Sequence, residues 1–460
     1  MISSEKPLSD QQRLTRWRLS TFWVMLIGYI GYYLCRKNLS AALPILEDTF
    51  GYTNDQLGLI GLYSGIAYAV GKLINGPLGD KIGGRRIFLI GMAGAIFFNI
   101  LFVQFSTLTM FIIIWCLVRY FLSMGWGGII KVIGAWYEPE RNGTIMGLIS
   151  LNYQFGGVIA TLFAGLVIYI VGEWDLGTVW DKLFIFPAAV LGVIWILSFF
   201  LSKESPQSVI PGTRFGQSES GKKPVVDFES MGDKKVSIFT MLKTLFKIPI
   251  FLHLLLFSFL TTALRSVFFF WTPKFLSDIG MNHSNAILKS AIFPFLGVLG
   301  TVLLGWYTDK YAPNGNRAKM MWVMLVGLVI TLIAISLIVP YRLEYQNLIV
   351  ALLGLSGFFL LGPYSMSAGC LTLDIAGSKG AASTSGMIDG VGYLGEAIAI
   401  WAVGTLSISS EAWSVGDVSI SSGGWSNVFM VLSGLALLSV FSAVLMSGYF
   451  KRQAKKKSIT

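Results

Sequence analysis

The stretch Gly76-Pro77-Leu78-Gly79-Asp80-Lys81-Ile82-Gly83-Gly84-Arg85-Arg86 lies between two long apolar runs, and 229 residues later the chain repeats its opening as Gly305-Trp306-Tyr307-Thr308-Asp309-Lys310. The same offset carries Arg36 onto Arg265, each inside an apolar run of its own. Coincidences at Gly, Asp, Lys and Arg under one spacing indicate a duplicated unit. Glycines permit a tight turn, and the charges that follow them need water, so the stretch reads as a short loop joining two membrane-crossing helices.

Working outward from this loop, the chain of 460 residues is 54% hydrophobic and only 13% charged. Soluble domains carry about 25% charged residues, so this composition describes a polytopic membrane protein. Apolar segments that meet the roughly 20-residue requirement for a spanning helix lie near 19–46, 55–79, 86–105, 108–136, 142–171 and 182–202. A second set lies near 249–277, 285–308, 317–339, 346–374, 380–406 and 425–450. The reading is an all-α membrane protein of 12 transmembrane helices in two six-helix bundles, 19–202 and 249–450. Residues 1–18 form a polar amino terminus, 203–248 a linker rich in Ser, Gly, Pro and Lys with a surface helix expected around Val236–Phe246, and 451–460 a basic tail. The first apolar run is too long for a cleavable signal peptide. The 51 glycines suit closely packed membrane helices.

The net charge of +11 is distributed unevenly. With this topology 25 of the 35 Lys and Arg fall on the side of the termini, and only Lys182, Lys274, Lys289 and Arg342 fall opposite. That bias places both termini in the cytoplasm. The basic tail reads as an anchor to anionic membrane lipid, not as a nucleic-acid site. The three cysteines, Cys35, Cys116 and Cys370, sit in apolar runs without partners at motif spacing, and His253 and His283 are far apart. No metal site and no cofactor are expected, and no nucleophile–base arrangement suggests an enzyme.

Six cations lie inside the apolar runs: Arg36, Lys37, Lys72, Arg119, Lys131 and Arg265. A cation at the centre of a membrane helix costs roughly 2.5–3.5 kcal/mol on insertion scales, so such residues mark function by default. Arginine offers a planar fork matched to phosphate or carboxylate oxygens, and one arginine from each repeat suggests a two-armed clamp for an anion. Lys72 reads as facing the same cavity, Lys131 as snorkelling to an interface, and Arg119 as either a coupling or a packing residue. Asp389 and Glu396, seven residues apart on the eleventh segment, share one helix face and are candidates for coupling.

The loop at 76–86 resembles the major facilitator signature G-x-L-x-D-[RK]-x-G-x-[RK]-[RK], and parallel repeats about an axis along the membrane normal match the major facilitator fold. The resemblance implies a gating role for Gly76, Asp80, Lys81, Arg85 and Asp309, through ion pairs formed in one orientation only.

Nearly the whole chain resembles the organophosphate:phosphate antiporter family, through YYLCRKN at 32–38, AYAVGKLINGPLGD at 67–80, MGWGGIIK at 124–131, WYEPERNG at 136–143, ESPQS at 204–208 and WTPKFL at 271–276. By this resemblance Arg36 and Arg265 match the paired phosphate-binding arginines and Lys37 and Lys72 the secondary lysines. Tyr29, Tyr33, Tyr68, Trp126 and Tyr393 match aromatic cavity positions. The sequence also departs from the pattern. A cavity histidine of the glycerol-3-phosphate members falls at Tyr153, limited to donating a hydrogen bond. The acid one turn after the seventh-helix arginine falls at Phe270, and the eighth-helix acid at or near Pro294. Asp389 and Glu396, where those members have glycines, supply negative charge instead.

The expectation is a secondary transporter, monomeric, in a bacterial inner membrane, exchanging a sugar phosphate or glycerol 3-phosphate for inorganic phosphate by rocker-switch alternating access. Two other readings fit the same residues: an organic-anion:proton symporter using Asp389 or Glu396, and a transporter-like sensor of external sugar phosphate.

Overall fold

The computed structural model describes residues 9–137, 142–174, 177–213, 215, 249–311, 318–368, 370–408, 414–415, 418–419 and 424–457. The surface helix expected near 236–246 lies outside them, as do the side chains of Asp80, Tyr153, Asp309 and Cys370. The helices before the linker are α1 (Asp10–Phe50), α2 (Asn54–Ile82), α3 (Gly84–Phe102), α4 (Leu108–Leu122), α5 (Met124–Trp136), α6 (Asn142–Glu173) and α7 (Val179–Leu201). After it come α8 (Pro249–Asp278), α9 (His283–Ser290), α10 (Ile292–Tyr311), α11 (Ala318–Ile338), α12 (Arg342–Ala368), α13 (Cys370–Ile408) and α14 (Trp425–Lys457). A two-residue antiparallel ladder, Ser414–Val415 with Val418–Ser419, stands between the last two.

Two expected spans are each two helices end to end. Between α4 and α5, the Ser123 hydroxyl donates to the Tyr120 carbonyl at 2.7 Å while receiving Asn75 Nδ2 at 2.7 Å. That side chain competes with the helical ladder where the break occurs. Between α9 and α10, Pro294 has no N–H for the Ser290 carbonyl, and the helix resets at Ala291. The loop expected at 375–379 is helical instead: no proline follows Pro363 in this region, and α13 starts at Cys370.

Local signals set other ends. Ser9 and Thr53 each form a capping box with Gln12 and Gln56, satisfying backbone donors that the first helical turn leaves open. Gly51, with φ +72°, closes α1 in the left-handed conformation that only glycine adopts without cost. Gly83, with φ +102°, makes the turn into α3. There the Glu204 carboxylate accepts from the Gly84 and Arg85 N–H groups at 2.6 and 2.8 Å. An anion at a helix amino terminus is stabilised by the dipole and by the open donors together.

Among the described residues, eleven helical spans are long and apolar enough to cross a membrane by length and composition. The twelfth, α1, is long enough at 41 residues but carries Arg36, Lys37, Asn38 and several tyrosines in its middle. Outward faces are apolar and exposed, with Phe97, Val193, Phe200, Ile330 and Phe441 each at least 60% accessible. The protein is a multi-pass membrane protein.

The seam between the halves consists of α1 on α8, α2 on α13, and α6 on α9 and α10. At its centre the Ser40 hydroxyl donates to the carbonyl of Phe269, 229 residues away, at 2.9 Å. A residue and its repeat mate touch, so the pseudo-twofold axis passes close to this hydrogen bond. Beyond it, at the end opposite the termini, the halves are latched. Lys274 Nζ lies 2.6 Å from Glu47 and also pairs with Asp278, which accepts from Trp425 Nε1 at 2.9 Å. Asp48 meets His283 at 2.8 Å, and Thr405 donates to Asp55 at 2.9 Å. Gly58, Gly61 and Gly65 of α2 bring its backbone against Gly404, Ile400 and Ala397 of α13, the small-residue approach by which membrane helices gain van der Waals contact. Among the described residues, the cross-half hydrogen bonds and ion pairs run from Lys72–Asp389 through the Ser40 level to this latched end. This conformation is closed there.

Glycine matters most where α10 crosses α12. A Cβ on Gly300 would collide with the Phe358 carbonyl, whereas one on Gly434 of α14 has nothing within 4 Å. Overpacking of this kind costs about 1–3 kcal/mol. Gly300→Leu is therefore expected to lower the melting temperature of the detergent-solubilised protein or abolish its folded yield, with Gly434→Leu near wild type; equal melting temperatures would refute the close crossing.

Candidate functional site

Cations reach the seam because α1 continues through them. The helix does not end at Tyr33; it runs on to Phe50, through Pro44, so Arg36 and Lys37 lie deep within it. On α8, Arg265 is likewise interior and only 3% exposed. Both arginines line one cavity, enclosing about 510 Å³ of empty space including its open mouth. Tyr33, Lys37, Arg119 and Glu396 line it too.

The positive charges are held largely by aromatic faces. Arg36 lies 4.8 Å from the Tyr68 ring centroid and 5.6 Å from those of Tyr33 and Tyr393. Its Nη1 also donates to the Tyr68 hydroxyl at 3.3 Å. Arg119 sits 4.4 Å from the Tyr68 ring. Arg265 lies 4.6 Å from Phe269 and 4.8 Å from Tyr364. Desolvated contacts of this type contribute about 2 kcal/mol each. They stabilise a guanidinium without adding negative charge, so the field of the layer stays positive.

Among the described residues, one carboxylate lines the cavity. Glu396 Oε1 accepts from Arg119 Nη2. Its Oε2 accepts from Ser266 at 2.6 Å and stands 3.9 Å from Arg36 Nη2. Four cations (Arg36, Lys37, Arg119 and Arg265) therefore share one acid in the cavity lining. Lys37 is partly committed elsewhere: its Nζ donates to the Phe269 carbonyl across the seam and lies 4.4 Å from that ring. The surplus suits a dianion with several acceptor oxygens.

The remaining expected residues separate into positions beside and behind the cavity. Lys72 and Asp389 pair across the seam at 3.8 Å, and Asp389 precedes Glu396 by seven residues, about two turns. Tyr68 and Tyr393 pack at a tilt, with ring centroids 4.5 Å apart, between this pair and the arginine layer. Tyr29 and Trp126 pack behind Tyr33, with ring centroids 5.6 and 5.5 Å from the neighbouring ring. Arg119 lines the cavity. Lys131 donates to the Gly79 carbonyl at 2.8 Å, near the end of α2.

Among the loop residues, Gly76 and Lys81 are exposed. Arg85 bonds within its own half, to Ser202 at 3.0 Å and to the Phe199 carbonyl, so in this conformation it supports the α3 start. The side chains of Asp80, Asp309 and Tyr153 lie outside the described residues. Sequence reasoning missed Ser266, Ser40, Trp115 and Tyr364. For Ser266 a signal existed, since it is the repeat mate of Lys37. Tyr364 has no such mark: its mate is Ala135. Phe270, where the acid of the resembling members falls, lines the cavity.

The family profile described as Major Facilitator Superfamily matches residues 25–400. The chain is 25% identical over 411 residues to a probable hexose phosphate transport protein of Chlamydia trachomatis, covering 87% of this chain and 88% of that one. It is 26% identical over 420 residues to the glycerol-3-phosphate transporter of Bacillus subtilis, covering 86% and 89%. It is also 24% identical over 401 residues to the membrane sensor protein UhpC of Salmonella typhimurium, covering 85% of each. Among solved structures, a bacterial homolog to the human lysosomal transporter Spinster, inward-facing and unoccupied, superposes with a TM-score of 0.75 at 15% identity, covering 95% and 98%. A D-xylose-proton symporter gives 0.71 at 14% identity, covering 93% and 97%. With the repeat, the helix arrangement and these matches in hand, the chain belongs to the major facilitator superfamily.

Proposed function

We propose that this chain exchanges an organic phosphate, of the sugar phosphate or glycerol 3-phosphate class, for inorganic phosphate across a bacterial inner membrane, with both termini cytoplasmic. The observation that carries the reading is the cavity where Arg36 of one half and Arg265 of the other meet. The printed names of the relatives add the substrate class. The bundles 19–202 and 249–450 rock about the seam, and one chain encloses the whole cavity, so a monomer suffices. The charge bias toward the termini supports their cytoplasmic side, with anionic lipid on the basic tail.

Exchange follows from charge. Closing a site surrounded by desolvated guanidinium groups is unfavourable, and a phosphate dianion offsets them. Cargo thereby promotes the return step. The latched end, with Lys274 between Glu47 and Asp278, is the closed gate of this conformation. The loop residues Gly76, Asp80, Lys81, Arg85 and Asp309 supply the opposite gate. Its glycines support this: neither Gly76 nor Gly305 has a described atom within 4 Å of where a Cβ would sit, so packing in this state does not require them.

Three outcomes are expected. Proteoliposomes loaded with phosphate take up labelled sugar phosphate or glycerol 3-phosphate faster than empty ones. Equal rates refute exchange, and ligand binding without any flux identifies a sensor. Arg36→Lys and Arg265→Lys each weaken phosphate affinity at least about tenfold by calorimetry, because a point charge loses the bidentate fork; wild-type affinity in both removes the clamp. Gly76→Leu retains phosphate binding but slows transport, and unaltered transport would remove the second gate.

A further inference from the structure

Glu396 occupies the position an anionic substrate would need. It is 4% exposed and touches both halves at once. One oxygen takes Arg119 of α4. The other accepts from Ser266 of α8, the residue after Arg265, and faces Arg36 of α1 at 3.9 Å. A carboxylate fixed to α13 thus engages both guanidinium groups of the amino-terminal half in the layer where cargo is proposed to bind.

We propose that Glu396 is a built-in stand-in for substrate, a counter-anion that lets the empty site close, and that its hold on Arg36 sets the ratio of net transport to exchange. The inference rests on the exchange reading and refines it. With no anion present, closure would leave four cations facing one another in low dielectric; breaking a buried pair by removing one partner is strongly unfavourable. Glu396 supplies one negative charge permanently, so unloaded return is slowed but not forbidden. Substrate brings a second charge and more acceptor oxygens, so loaded return stays faster. The same contact makes the residue a competitor. To close on phosphate, Arg36 must turn from Glu396 Oε2, and its present separation of 3.9 Å is longer than a hydrogen bond. The arginine is held near the acid but not consumed by it. Asp389 does not share the role, being paired with Lys72 two turns away.

Two measurements should move in opposite directions in Glu396→Gln. Inorganic phosphate should bind more tightly, by about three- to tenfold, because no internal anion competes. Net efflux of labelled phosphate into phosphate-free medium should fall, so that the ratio of exchange to net flux in the same proteoliposomes rises at least about tenfold. A residue that only held the fold would lower affinity and both fluxes together. Glu396→Asp keeps the charge but draws it back from Arg36, and should shift both quantities the same way by a smaller factor; it carries the test if the glutamine variant does not fold. Weaker phosphate binding, or an unchanged flux ratio in a folded variant, overturns the inference while leaving exchange intact. Wild-type flux that ignores phosphate on the far side overturns the exchange reading and this inference with it.

Discussion

A buried cation in a membrane protein is tolerable only when something stabilises it, and in this chain aromatic faces of the same half share that task with polar groups of the opposite half. Arg36 and Arg119 of the first repeat share Glu396 of the second. Lys37 takes a carbonyl of α8, and Lys72 takes Asp389. The halves are therefore joined by charge compensation as well as by packing. Any movement that separates them must exchange these partners for water or for a ligand. That constraint couples binding to motion more directly than shape complementarity would.

The seam has a graded construction. At the latched end it is dense, with the glycines of α2 against α13 and with Lys274 nearly withdrawn from solvent. Through the middle it is polar and aromatic, with tyrosine faces holding guanidinium groups in place. An aromatic face is a suitable neighbour for a charge that must later meet a ligand, since it lowers the cost of burial and leaves the charge unneutralised.

Much of this was legible in the amino-acid order because membrane helices are written in long apolar runs and because duplication leaves a fixed offset. Arg36 and Arg265 were readable on both grounds, and their cavity is where the repeat predicts a shared site. The breaks at Ser123 and Ala291 were not anticipated, although Pro294 was visible, because a run of apolar residues looks the same whether one helix or two cross it. The acids were harder. Periodicity put Asp389 and Glu396 on one face, but only the three-dimensional arrangement assigns Glu396 to the arginines and Asp389 to Lys72. The pairing joins residues up to 277 positions apart, a separation that no local pattern encodes. Tyr364 carries no charge and has no counterpart in the first repeat, so nothing marked it before folding.

The polarity of α1 also bears on how the protein is made. Its central residues, Lys37 and Ser40, bond to Phe269 on a helix more than two hundred positions later. At a synthesis rate of about 5–20 residues per second, roughly ten to fifty seconds separate their emergence from the ribosome. Through that interval the least apolar of the described spanning helices leaves the translocon without the partners that satisfy it. The early helices must then shelter it, or it must linger at the insertion machinery until α8 arrives, making biogenesis the stage at which its charges are most dangerous.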